Sequence, residues 1–483
     1  MDSKITKNYI YNLIQQILLV ISPVITIPFL SRSLGADGIG QYSYSYALTN
    51  YFTLIATLGC DVYARREISY VKNSKIDRSK KFWTIEIIKI CSTVVVIGFY
   101  LVFAFFNKNR ILLIILTFHI INVPLNITWF YQGIEKFKKI TIRSIFLKIA
   151  ELLFVVFFIH KPADLYLYVF GSSFINFLAF FVLWLDIKED VELVDFKQLK
   201  IVDDFKECLV FFLPSIATSI YTLLDKTMLG FLTGNYVENG YYEQAQKINV
   251  ILLRVILALG LVLLPQIANS YKNGNFDKVE KFIFRSARYV FFVSIPISIG
   301  LICISNNFVP WFYGPGFSKV SNLLKISGFI LIVQGLDDVF GMQYLVSIGR
   351  QKQYIFSLFI GALTNFLCNL VLIPRLYSTG AVIASFIGES VIVFVQIYFV
   401  KDGLNVLKLF QQSFKYIVAS FAMLVMIPFV KNMESSIINS IIIMMIGSFI
   451  YIFILLLLKE PFAIQLFKKI KKIDLHGKKY KKI

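Results

Sequence analysis

The stretch "KINVILLRVILALGLVLLP", Lys247 to Pro265, decides the fold class. It is apolar over nearly all of its length, and about 20 such residues in a helix cross the roughly 30 Å hydrocarbon core of a bilayer. An arginine at the centre of a membrane helix costs roughly 2.5–3.5 kcal/mol on insertion scales. Arg254 sits near the middle of this run, so it needs either a partner or a task.

The rest of the chain is built the same way. Its 483 residues are 57% hydrophobic and 16% aromatic, more apolar than a soluble surface of this size allows. Apolar blocks recur at about 8–30, 39–63, 82–105, 111–131, 141–159, 164–185, 207–233, 241–268, 282–304, 320–347, 354–373, 379–400, 411–430 and 436–458. The expectation is an all-α polytopic membrane protein of about fourteen transmembrane helices. The first run is too long for a cleaved leader and is read as a span.

Charge sets the orientation. With the amino terminus inside, about 36 of the 49 Lys and Arg fall on inner loops and tails and about 7 on outer loops. Both termini are therefore expected on the cytoplasmic side of the membrane. The same asymmetry accounts for the net charge of +20 without a nucleic-acid partner. The basic tail "KKIKKIDLHGKKYKKI" reads as a segment lying against anionic lipid.

Several function classes are excluded. The chain has no Gly-rich phosphate loop, no His-Glu-x-x-His and no Cys-x-x-Cys, and its three histidines are far apart, so no cofactor or metal is expected. The longest outer loop, about 305–319, is too short to house a catalytic domain, which argues against an enzyme.

The chain also repeats itself. "GQYSYSYAL" at Gly40 matches "GYYEQAQKI" at Gly240, and "KNSKIDRSKKF" at Lys72 matches "KNGNFDKVEKF" at Lys272, both at an offset of 200. A third echo pairs "QGIEKF" at Gln132 with "IGRQKQ" at Ile348. Six spans per half give both copies one orientation, related by a pseudo-two-fold axis along the membrane normal. The expected organisation is an N-lobe (1–186, spans 1–6), an acidic cytoplasmic linker (187–206) and a C-lobe (207–400, spans 7–12). Spans 13–14 (401–459) and a basic tail (460–483) follow. Two lobes around a midplane cavity suit a transporter.

The stretches Pro23–Gly59, "DKTMLGFL" with "GYYEQAQKI" (Asp225–Ile248) and "WFYGPGF" (Trp311–Phe317) resemble the bacterial polysaccharide-transporter family. Its members include O-antigen and capsule oligosaccharide flippases, related to lipid II flippases and multidrug exporters. The resemblance implies two six-helix lobes. It also implies movement of undecaprenyl-pyrophosphate-linked oligosaccharide repeat units from the inner to the outer leaflet. A lipid II flippase and a cation-coupled multidrug exporter are the alternatives within that superfamily, and a polysaccharide polymerase is a candidate partner.

A substrate of this kind needs a cation for its pyrophosphate and polar groups for its glycan. Lys89, Lys148, Lys226 and Lys247 have acidic neighbours in sequence: Glu86, Glu151, Asp225 and Glu243. Arg254 and Lys325 have none within four residues. Arg254 either contacts phosphate, for which its bidentate fork is suited, or pairs with Glu389, Asp337 or Asp338. Lys247 lies seven residues away on the same face, and Glu389 is itself a cavity candidate. Lys325 either lines the cavity or snorkels to headgroups. Asp225 and Lys226 form part of the family-like motif or a structural salt bridge. Asn12, Gln15 and Gln16 face glycan or a neighbouring helix. Tyr42 and Tyr46 stack on glycan or belong to an interfacial aromatic belt.

Overall fold

The computed structural model describes residues 3–464, with side chains described at Tyr11 and from Ile21 onward except for 213–222. The basic tail from 465 lies outside the described residues, as do the side chains of Asn12, Gln15 and Gln16.

The described chain is helical, with no strand. α1 (Ser3–Thr57) is followed by α2 (Cys60–Tyr70), α3 (Lys75–Phe105), α4 (Arg110–Leu125), α5 (Thr128–Gly133) and α6 (Phe137–Phe158). α7 (Leu165–Leu185), α8 (Ile187–Asp190), α9 (Ile201–Thr233), α10 (Tyr236–Lys272), α11 (Phe276–Tyr313) and α12 (Ser318–Asp337) come next. A π-helical segment, Asp338–Val346, leads to α13 (Gln351–Leu376) and α14 (Ser378–Val400). The chain finishes with α15 (Val406–Gln411), α16 (Phe414–Ala422), α17 (Ile427–Lys431) and α18 (Ile437–Leu457). Nine helical stretches among the described residues are long and apolar enough to cross a membrane. Together with the two limbs of α1 and with α6, α9 and α12, they account for the fourteen blocks read from the sequence.

Three boundaries differ from expectation. Spans 1 and 2 are one helical run, broken at Gly35, whose φ of 66° and ψ of 178° belong to a region open essentially only to glycine. The outer loop expected at about 305–319 is mostly helix, since α11 continues through Pro310 to Tyr313. Span 13 is a broken rod: α16, a 3-10 turn over Met423–Met426 and α17, with Pro428 at the start of the last piece, where its missing N–H breaks no ladder.

The repeated loops have a physical basis. "KNSKID" and "KNGNFD" each open a long helix, α3 and α11, with Asp77 and Asp277 in the first turn against the positive end of the dipole. Ser74 Oγ caps α3 by accepting from the Asp77 amide at 3.3 Å. "QGIEKF" and "IGRQKQ" each close a helix with a Schellman turn. Lys136 N donates to Tyr131 O at 2.9 Å and Arg350 N to Leu345 O at 2.8 Å, after left-handed residues at Glu135 and Gly349.

By packing, the chain divides into two units, Met1–Glu243 and Gln244–Ile483. In the first unit, α9 packs on α1, α2 and α3. The segment before α9 is tied to the same unit: Lys136 Nζ meets both oxygens of the buried Asp190 at 2.6 and 2.7 Å, and Arg78 donates to the Asp190 carbonyl. Lys81 meets Asp204 at 2.9 Å, and Tyr63 Oη donates to the same carboxylate at 2.8 Å. In the second unit, the core runs through α10, α11 and α12 to α16 and α18. Trp311 of the "WFYGPGF" stretch fixes α11 to α18 through Ser440 Oγ at 2.6 Å.

The glycines of the first repeat face each other. A Cβ on Gly40 would fall within the Tyr236 carbonyl and 2.9 Å from Gly240 N, and one on Gly240 would strike the Ala36 carbonyl. The helix crossing is therefore backbone against backbone, the approach that only small residues permit.

Candidate functional site

Arg254 lies on α10 in the second unit, exposed and without a hydrogen bond or ion pair among the described residues. The carboxylates considered as its partners are bound by glutamine amides instead. Gln334 Nε2 donates to Glu389 Oε1 at 2.7 Å, Gln396 Nε2 to Asp337 Oδ1 at 2.6 Å, and Gln343 Nε2 to Asp338 Oδ2 at 2.7 Å. A neutral amide satisfies a buried carboxylate oxygen without a second charge, which leaves the guanidinium available. Lys247, earlier on α10, is half-buried. Lys325 is also half-buried and donates to Asn306 Oδ1 at 2.8 Å and Asn322 Oδ1 at 3.4 Å, so amides, not acids, hold it.

Two sequence pairings are corrected by tertiary contacts. Lys89 is fully buried and pairs with Asp61 of α2 at 3.1 Å while donating to Asn126 O at 2.9 Å. Glu86, its neighbour on α3, is buried with neither carboxylate oxygen hydrogen-bonded. Lys226 pairs with Glu243 of α10 at 2.7 Å rather than with the adjacent Asp225. Asp225 accepts from Tyr242 Oη at 2.5 Å. Lys148 does pair with Glu151, at 2.7 Å, as their spacing predicts.

These pairs belong to an assembly in the first unit that local sequence spacing did not reveal. Tyr42 packs on Tyr46 and Tyr168 with ring centroids 5.5 and 5.4 Å apart, and Tyr46 lies 4.9 Å from the His119 ring. Glu243 Oε2 also accepts from Ser43 Oγ at 2.8 Å. Glu151 and Glu243 both lie near the hydroxyls of Tyr42, Tyr46 and Tyr168. Six helices contribute: the second limb of α1, α4, α6, α7, the last part of α9 and the first part of α10. Tyr42 and Tyr46 thus pack inward against other helices. The available signal was weak: tyrosines one helical turn apart, and Lys–Glu pairs inside apolar blocks.

The assembly presents aromatic faces, hydroxyls and two compensated ion pairs, whereas α10 of the second unit presents an unpaired cation. The first suits a polar uncharged group and the second an anion.

Comparison with known proteins gives the family and the fold. The chain is 21% identical over 384 residues to a candidate O-antigen transporter of Shigella dysenteriae, covering 78% of this chain and 96% of the relative. A second candidate O-antigen transporter, from Escherichia coli K12, is 22% identical over 409 residues, with 82% and 97% covered. In structure, the chain resembles the lipid II flippase MurJ in an inward closed conformation, with a TM-score of 0.72 and 16% identity over 93% of this chain and 98% of the other. It also resembles an inward-facing multidrug transporter of the MATE family, with a TM-score of 0.61, 13% identity and 81% and 96% covered. Both likenesses establish a common fold. Residues 5–270, more than half of the sequence, match the family described as polysaccharide biosynthesis protein. The chain belongs to that family, with the membrane-transporter fold shared by MurJ and MATE proteins.

Proposed function

We propose that the protein moves undecaprenyl-pyrophosphate-linked oligosaccharide repeat units from the inner to the outer leaflet of the bacterial plasma membrane, by alternating access, for surface polysaccharide synthesis. The observation that carries this reading is Arg254, an exposed guanidinium on a membrane-spanning helix with no ion partner among the described residues. Uncompensated charge at bilayer depth marks a transport path, and a planar guanidinium binds diphosphate oxygens two at a time. The curated relatives named for O-antigen transport match this chain along nearly their whole length, which supports the glycan-carrying lipid as cargo.

Charge also favours the direction. Moving one elementary charge through 100 mV is worth about 2.3 kcal/mol. A diphosphate with about two negative charges leaving an inside-negative cell is therefore helped by about 4–5 kcal/mol. Export can run on this potential and on removal of product outside. The outward direction requires both termini on the cytoplasmic side, the orientation that the Lys and Arg distribution favours.

The test is complementation of a flippase-null strain. The wild-type gene should restore surface polysaccharide. Arg254→Ala should lower its rate of appearance about tenfold or more at equal membrane abundance, the loss expected for a hydrogen-bonded charge contact worth about 1.5–3 kcal/mol. Full export by Arg254→Ala would refute the assignment.

A further inference from the structure

We propose that the assembly in the first unit, formed by Tyr42, Tyr46, Tyr168 and the ion pairs Lys148–Glu151 and Lys226–Glu243, is a binding site for a neutral sugar of the cargo. This proposal rests on the flippase reading above and names what one part of the cargo contacts.

The contrast with Lys89 shows why packing alone is an insufficient account. Lys89 is sealed, with its side chain 0% exposed. Lys148 and Glu151 are 27% and 21% exposed, and Lys226 and Glu243 are 22% and 14% exposed. All four lie within helices that belong to predicted membrane spans. Ionisable groups held at such depth and left open mark a path for polar cargo. Each lysine is met by a glutamate, so a diphosphate or a cationic drug finds no unpaired charge in either pair. The site does offer what a pyranose presents in return. Tyrosine rings cover the C–H faces of the sugar, carboxylates accept from its hydroxyls, and ammonium groups and phenols donate to its ring and hydroxyl oxygens. A uronic acid would bring a third negative charge beside Glu151 and Glu243.

Position agrees with this chemistry. The contributing residues cluster toward the end of the first unit where α1 breaks at Gly35, α6 passes to α7 and α9 turns into α10. With the amino terminus inside, that end faces outward, where the glycan is delivered.

The test uses the full-length protein in nanodiscs and two probes: undecaprenyl pyrophosphate, and the same lipid bearing one N-acetylglucosamine. Wild type should bind the glycosylated lipid about tenfold more tightly than the bare one. Tyr168→Ala should bring that ratio close to one, as should Glu151→Gln, and Tyr168→Phe, which keeps the ring, should retain most of it. Arg254→Ala should weaken both probes equally and preserve the ratio. A wild-type ratio of one, or a ratio unchanged in both Tyr168→Ala and Glu151→Gln, overturns the sugar site and leaves the flippase reading standing. Failure of wild type to bind either lipid overturns both.

Discussion

Replacing Gly40 by alanine should destabilise the first unit. The added carbon would overlap the Tyr236 carbonyl oxygen and lie 2.6 Å from its carbon and 2.9 Å from Gly240 N. Ordinary contact needs about 3.5–4.0 Å, so the α1 and α10 backbones must part by about 2 Å at that oxygen. No flexible side chain can yield instead. Overpacking of this kind costs about 1–3 kcal/mol, and rigid backbone on the receiving side puts the change at the upper end. Alanine returns about 1 kcal/mol in helix propensity. The net loss of about 2 kcal/mol corresponds to roughly a thirtyfold shift in the folding equilibrium. Unfolding of the detergent-solubilised chain, followed by tryptophan fluorescence at one scan rate, should show a lowered midpoint. Gly98→Ala is the control, because nothing lies within 4 Å of its added carbon, and its midpoint should match or exceed wild type. Gly40→Ala unfolding together with wild type would refute the close-approach argument.

Two further substitutions probe the same unit. Asp61→Asn removes the ion partner of the sealed Lys89 and should cost about 3 kcal/mol, with Lys89→Met in the same chain recovering most of the loss, both read from the unfolding midpoint. An unchanged midpoint in the single variant would mean that Glu86 takes over the lysine. Gly35→Ala meets no atom within 4 Å, so its cost is backbone strain alone, about 1–3 kcal/mol. A stability equal to wild type would show that the break between the limbs of α1 does not need a left-handed residue.

The fold was legible because the bilayer sets a minimum length for a spanning apolar helix, and nine described helical stretches reach it. The repeats were legible because they mark helix starts and stops, where backbone chemistry restricts residue type: Ser74 and Asp77 at one start, Asp277 at the other, Glu135 and Gly349 at the stops. The break in span 13 was harder to read, since Pro428 lies inside an apolar run long enough to cross alone.

The candidate sites were legible in one respect only. Arg254 stood out because nothing nearby in sequence neutralises it, and the structure gives it no ion partner among the described residues. The pair Lys148–Glu151 was read correctly, but the partners of Lys89 and Lys226 were misassigned because sequence neighbours lie on one helix, whereas Asp61 and Glu243 reach them from another. The tyrosine assembly draws on residues between Tyr42 and Glu243, a separation that no local pattern spans. The glutamines that satisfy Glu389, Asp337 and Asp338 were missed for a related reason: an amide carries no charge to mark it as a partner.

The contact between Gly40 and Gly240 also bears on how such a chain can change over generations. If the matching stretches descend from one duplicated gene, the two copies of an ancestral position touch in the finished protein. Drift at either copy is then opposed by its own twin. Enlargement at one position would have to await a compensating shift across the crossing, so this patch of the inherited repeat should be the slowest to blur.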